Sequence, residues 1–117
     1  MRIKKFNESN SDKLDQPYIK FIFEEFLDKD ENEIHFDEDK NSYFEIFITE
    51  PLIITDSEIN FEDYEKNIED LLNFSKTLKS CIDKVKEEYP DINVNFDFES
   101  VEVGSKIKRD LHLSFYL

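Results

Sequence analysis

The chain has one cysteine, one glycine and three prolines in 117 residues. A lone Cys81 excludes an intrachain disulfide and fits a reducing compartment. The near absence of glycine excludes a glycine-rich phosphate loop, and no paired cysteines stand at zinc-finger spacing. No apolar run approaches the roughly 20 residues of a membrane span. The first residues lack the apolar stretch of a secretory signal. No nucleophile–base–acid order suggests a catalytic triad, so the chain is expected not to be an enzyme and to need no cofactor. Basic residues are also scarce, 15 against 29 acidic ones, for a net charge of −14.

What is present is a globular composition for one domain, with 12 Phe and 5 Tyr to fill a core. The charge is uneven. Arg2, Lys4 and Lys5 sit at the start, leaving residues 6–117 with 12 basic groups and a net −17. Such a body repels nucleic acid and anionic membrane and attracts basic surfaces or cations.

The longest pattern runs from Asn60 to Tyr89. Phe61, Tyr64, Ile68, Leu71, Leu78, Ile82, Val85 and Tyr89 recur at helical spacing, with Ser75 in the one gap. Leu72, Phe74 and Cys81 widen the stripe, as suits a helix lying on a sheet. Asn60 or Ser57 can cap its start. Glu62, Asp63 and Glu65 face the positive end of the helix dipole, and Lys84 and Lys86 the negative end. Pro90 stops it and pushes Tyr89 toward extended backbone.

Residues 1–16 read as a flexible tail, followed by a single domain over 17–117. Ile19, Ile22, Phe23, Phe26 and Leu27 make a helical stripe, with Asp15 as cap and Pro17 in the first turn; Phe21 then points outward. Residues 24–39 are acidic. Ile34 and Phe36 mark a strand, and Phe44, Ile46 and Ile48 alternate as a second, turning around Glu38–Asn41. Leu52–Ile54 is expected to cross the core. Near the C-terminus Ile92, Val94, Phe96 and Phe98 alternate, as do Leu111, Leu113, Phe115 and Leu117. A primed two-residue turn at Gly104-Ser105 pairs Val103 with Lys106 and brings the apolar sets onto one face. The expected fold is α+β: helix, hairpin, helix, hairpin, in two layers. Its mainly antiparallel sheet has four strands, with both helices on one face.

The head Met1–Ser9, through Ile3, Lys4, Lys5, Phe6, Asn7 and Glu8, resembles the leaders of small proteins of large tailed phages. In that setting some leaders target capsids and are cut after a Glu. The resemblance implies a phage accessory or structural protein in the host cytoplasm or virion.

The same hairpin register sets Asp97 opposite His112 and Glu99 opposite Asp110, a candidate divalent-cation set. Asp28, Asp30 and Asn32 have calcium-loop spacing, but Glu33 and Asp39 stand where Gly and Glu are needed. Cys81 reads as a buried thiol. Three functions follow. The first is protein–protein contact, including self-association, through exposed Phe21, Tyr43, Phe47 and Tyr116. The second is a polyanion mimic that occupies a nucleic-acid-binding groove through residues 24–39 and Glu62, Glu65 and Glu69. The third is cation binding at Asp97, Glu99, Asp110 and His112.

Overall fold

Capping chemistry and apolar spacing set where each element starts and stops. The computed structural model describes residues 13–37 and 39–117. The leader residues Ile3 to Glu8 lie outside the described residues, as does Glu38 of the acidic stretch. Helix α1 (Gln16–Ile22) starts where Asp15 Oδ1 accepts from the Tyr18 N–H at 3.2 Å, with Pro17 in the first turn. It does not run on as one helix. Phe23 leaves helical backbone, and the short α2 (Glu24–Leu27) follows. The bend seats the Phe23 ring edge-on to Phe44 and Phe115, 6.2 and 6.0 Å between centroids. Phe21 points outward, as its place off the stripe requires.

The sequence puts Leu14, Asp15 and Gln16 in the tail, but they belong to the fold. Leu14 is buried, and its N–H donates to the Asn41 carbonyl at 2.9 Å. Asn41 Nδ2 donates back to the Leu14 carbonyl at 3.2 Å. Asn41 sits in the left-handed region at φ 53, where its short polar side chain is tolerated.

Strands β1 (Glu33–Phe36) and β2 (Tyr43–Thr49) form the first hairpin, with Ile34 opposite Ile46. Pro51 has no N–H to continue β2. The chain re-enters the sheet as β3 (Ile53–Ile54), paired with Ile107 and Lys106. This corrects the expectation of a core-crossing segment and of four strands: among the described residues the sheet has five.

Helix α3 (Phe61–Glu88) is unbroken. Asn60 Oδ1 caps it by accepting from the Asp63 N–H at 2.9 Å, and Tyr89, at φ −129 and ψ 79, leaves helical backbone before Pro90 without becoming fully extended. Asn60→Ala is expected to cost about 1 kcal/mol, read as a shift in the urea midpoint with unchanged slope.

Strands β4 (Asn93–Val103) and β5 (Lys106–Tyr116) pair in the expected register, Val103 with Lys106 through Asn93 with Tyr116. Gly104 takes φ 64 and Ser105 does not turn positive, the signature of a type II′ turn. On its other side β5 meets β2 and, toward the Gly104 turn, β3. These pairings are all antiparallel, so the architecture is α+β, an antiparallel sheet with helices.

The core gathers even-numbered residues of β2 and odd-numbered residues of β5 with α1, α2 and the C-terminal half of α3. Phe44 stacks flat on Phe115 at 4.5 Å. Phe26 meets Phe74 edge-on at 5.4 Å, and Cys81 Sγ donates to the Ile22 carbonyl at 3.3 Å. Burial raises the Cys81 thiol pKa; Lys84 opposes this and Glu25 adds to it. Asn32 is buried, a polar side chain with both ends of its amide bonded. Its Nδ2 donates to the Phe26 carbonyl at 2.7 Å, and its Oδ1 accepts from the Thr49 N–H at 3.0 Å. It is therefore a brace between α2 and β2 and not a calcium ligand. Among the described residues no helix is long and apolar enough to cross a membrane.

Candidate functional site

Two surfaces of the sheet carry the residues singled out from the sequence. On one, side chains of β1, β2, β4 and β5 line a concavity of about 460 Å³ that includes Glu33, Phe47, Asp97, Glu99, Asp110 and His112. Strand alternation puts these residues on the face opposite Phe44, Leu113 and Phe115. Asp97 faces His112 and Glu99 faces Asp110, as the hairpin register requires.

The four do not converge. His112 Nε2 lies 2.8 Å from Glu45 Oε1, and its ring stacks on Phe47 with 4.5 Å between centroids. Asp110 Oδ1 accepts from Thr49 Oγ1 at 2.8 Å. Asp97 Oδ1 accepts from the Phe98 N–H at 2.8 Å. Among the described residues no three His, Cys, Asp or Glu side chains are grouped to hold a metal ion.

Glu45 lies on this face beside His112. Burial raises its carboxyl pKa, but hydrogen bonds from Tyr43 and His112 and the charge of nearby imidazoles outweigh it, and the net shift is downward. A carboxyl depressed in the folded state stabilises the fold above its unfolded value and loses that contribution as pH falls through the folded value. Wild-type stability should therefore drop as pH passes below the ordinary value of 4.5. Glu45→Gln should flatten that acid limb in urea melts across pH, and an unchanged limb would show that Glu45 is not its source.

Of the aromatic contact candidates, Phe21 and Tyr116 are exposed. Tyr43 and Phe47, exposed by the reading of the sequence, are half-buried in the structure. Phe47 is covered by His112, and the Tyr43 hydroxyl reaches Ser114 Oγ at 3.4 Å. Glu62, Glu65 and Glu69 are exposed along one ridge of α3, three or four residues apart.

The second surface departs from the sequence reading, which assigns the whole α3 stripe and both apolar sets of the last hairpin to the core. In the structure Phe61, Tyr64, Ile68, Leu72, Phe96 and Phe98 remain between 40% and 68% exposed. At 3.6 residues per turn, Leu71, Phe74, Leu78, Cys81 and Val85 fall on the inward arc of α3. Asp70, Asn73 and Thr77 flank that arc on one side and border a hollow with Glu25, Phe26 and Lys29. Tyr64, Ile68 and Leu72 fall on the opposite flank, away from that hollow. Phe96 and Phe98 stand on the same sheet face as Leu111 and Leu113 but about half-exposed, their rings 5.9 Å apart, with the Arg109 guanidinium 5.8 Å from the Phe98 ring centre. Asn67 fixes the helix over β3, its Nδ2 donating to the Leu52 carbonyl and its Oδ1 accepting from the Ile54 N–H. That tether holds α3 toward the β2 side and leaves the β4 side open.

The signal for this surface was legible as width. Adjacent Leu71 and Leu72 cannot both face one sheet, and a stripe of half the helix circumference is broader than one packed face needs.

Comparison of the chain with protein-family models, with curated proteins and with solved structures finds no match.

Proposed function

We propose that this chain is a small acidic accessory or structural protein, of the kind tailed phages encode, that acts without catalysis through protein–protein contacts. Its frame is the two-layer helix–hairpin–helix–hairpin arrangement, and its contact face is the open apolar flank of α3 with the uncovered rings of β4. The observation that carries this is the exposure of six large apolar side chains, Phe61, Tyr64, Ile68 and Leu72 along one flank of α3 and the adjacent rings of Phe96 and Phe98 on β4. Contiguous apolar patches of this kind mark interaction surfaces, whereas single exposed apolar residues need no explanation. The leader resemblance supports the phage attribution, and the net −14 charge supports a partner with a basic surface.

A pull-down from the native host with wild type and with an Ile68→Ser, Phe96→Ser chain tests it. A partner retained by wild type and lost by the variant, at unchanged melting temperature, is the expected result. The same partners on both chains would remove the face from the account.

A further inference from the structure

We propose that the free edge of β4 takes up an extended peptide segment in which large apolar residues alternate with Lys or Arg, adding a sixth strand to the sheet. This rests on reading the open apolar flank as a contact face and names the chemistry of what fills it.

The backbone comes first. In a hairpin closed by a two-residue turn, the flanking pair Val103 and Lys106 exchange hydrogen bonds, and pairs alternate from there. The odd-numbered residues of β4 thus bond to β5, and Val94, Phe96, Phe98, Ser100 and Glu102 turn their N–H and C=O groups outward. The Phe98 N–H is bonded to Asp97 Oδ1, on its own strand and not on β5, which agrees with this count. Among the described strands β4 pairs with β5 alone. An edge of 11 residues is long for one left open.

Side chains then fix the pattern of the guest. Alternation sends Phe96 and Phe98 to the helix side and Asp97 and Glu99 to the opposite side. From Phe96 to Glu99 a strand laid beside β4 meets exposed rings and carboxylates in alternation; past Ser100 the pattern reverses, with Glu102 on the ring side and exposed Val101 and Val103 on the other. Glu99 faces Asp110 across its rung, a like-charge pair; Lys108 reaches Asp110 at 4.0 Å from the β5 side, and a guest cation would approach Glu99 from the outer side. The ridge of Glu62, Glu65 and Glu69 borders the same flank. A second copy paired about Phe98 is a poor guest, because that register sets Asp97 and Glu99 of one copy against Glu99 and Asp97 of the other. Main-chain bonds to an exposed edge with alternate side chains in selective positions are a recurring mode of peptide recognition. On binding, the Asp97 carboxylate leaves the Phe98 N–H to the new strand and turns to the incoming base.

The test uses the full chain and two labelled heptapeptides of equal composition. In one, Lys alternates with Ile and Val; in the other, four Lys precede the three apolar residues. Fluorescence anisotropy at low and high salt gives affinities, and amide shifts locate the site. The alternating peptide should bind at least about tenfold tighter than the block peptide, shift the amides from Phe96 to Glu102, and weaken with salt. Phe98→Pro removes an outward donor that β5 does not use, and Glu99→Lys reverses the charge; each should lose about tenfold. The Glu99→Lys variant covers the case in which proline disturbs the hairpin. Equal binding of the two peptides, or no effect of either variant, overturns strand addition. If both peptides bind alike and Phe96→Ser weakens both, the contact face stands and the strand proposal falls. If neither binds and the Ile68→Ser, Phe96→Ser chain keeps every host partner, both fall. A β4-mediated dimer that the peptide must displace, or even-numbered β4 amides already protected in the free monomer, also overturns the proposal, because the edge then has another occupant.

Discussion

Phe115→Ala is expected to lower stability by about 3–5 kcal/mol, and Phe96→Ala by less than about 1 kcal/mol. Both residues sit on the same face of the same hairpin, and from the sequence they look equivalent. Phe115 stacks on Phe44 at 4.5 Å and meets Phe23 edge-on, with no exposed surface. Its removal leaves a cavity between α1 and the sheet that rigid neighbours cannot fill. Phe96 is 56% exposed and gives up little burial when truncated. In thermal melts followed by circular dichroism, Phe115→Ala should lose roughly 10–20 °C and Phe96→Ala only a few degrees. Similar losses for both would mean that the helix layer covers the hairpin along its whole length.

The second large effect belongs to a polar residue. Asn32→Ala should cost about 2–4 kcal/mol, because it strips a donor from the Phe26 carbonyl and an acceptor from the Thr49 N–H in a buried setting. No charge is lost, so the deficit should persist at high salt. Asn32→Asp keeps an acceptor for Thr49 but buries a charge and still deserts Phe26, and it should not rescue the loss. Urea titration of the two variants reads this directly. A cost below about 0.5 kcal/mol, the range of ordinary surface changes, would show that Asn32 does not brace α2 to β2.

Much of the frame was legible in the residues, for physical reasons that can be named. The last hairpin was fixed twice over, by the Gly104 turn and by apolar alternation, and each excludes the register that the other would slip to. Helix α3 was fixed by spacing, by the Asn60 cap and by Pro90. The first helix was harder. Its apolar stripe runs without a break from Ile19 to Leu27, and only the tertiary demand for the Phe23 ring bends it into α1 and α2. β3 was missed because two residues carry no period; its pairing depends on where the Gly104 turn brings Lys106 and Ile107.

The site was less legible than the fold. Periodicity says which side chains share a face but not how far the opposing layer reaches. On α3 the width of the stripe marks Leu72 as surplus to one packed face, but nothing local to Phe96 or Phe98 marks them as uncovered. What leaves them open is the Asn67 tether to Leu52 and Ile54, a contact between segments 13 and 15 residues apart. The polar set at Asp97, Glu99, Asp110 and His112 was placed correctly on its rungs, yet its neighbours Thr49, Glu45 and Phe47 come from another strand. Alternation within one hairpin could not show those partners.

Amide hydrogen exchange along β4 tests the account most directly. The odd-numbered amides from Asn95 to Val103 should be protected by β5, while Phe96, Ser100 and Glu102 exchange at close to unfolded rates in the monomer. Uniform protection along the strand would contradict it, since an edge that slow is already paired and the flank beside it already filled.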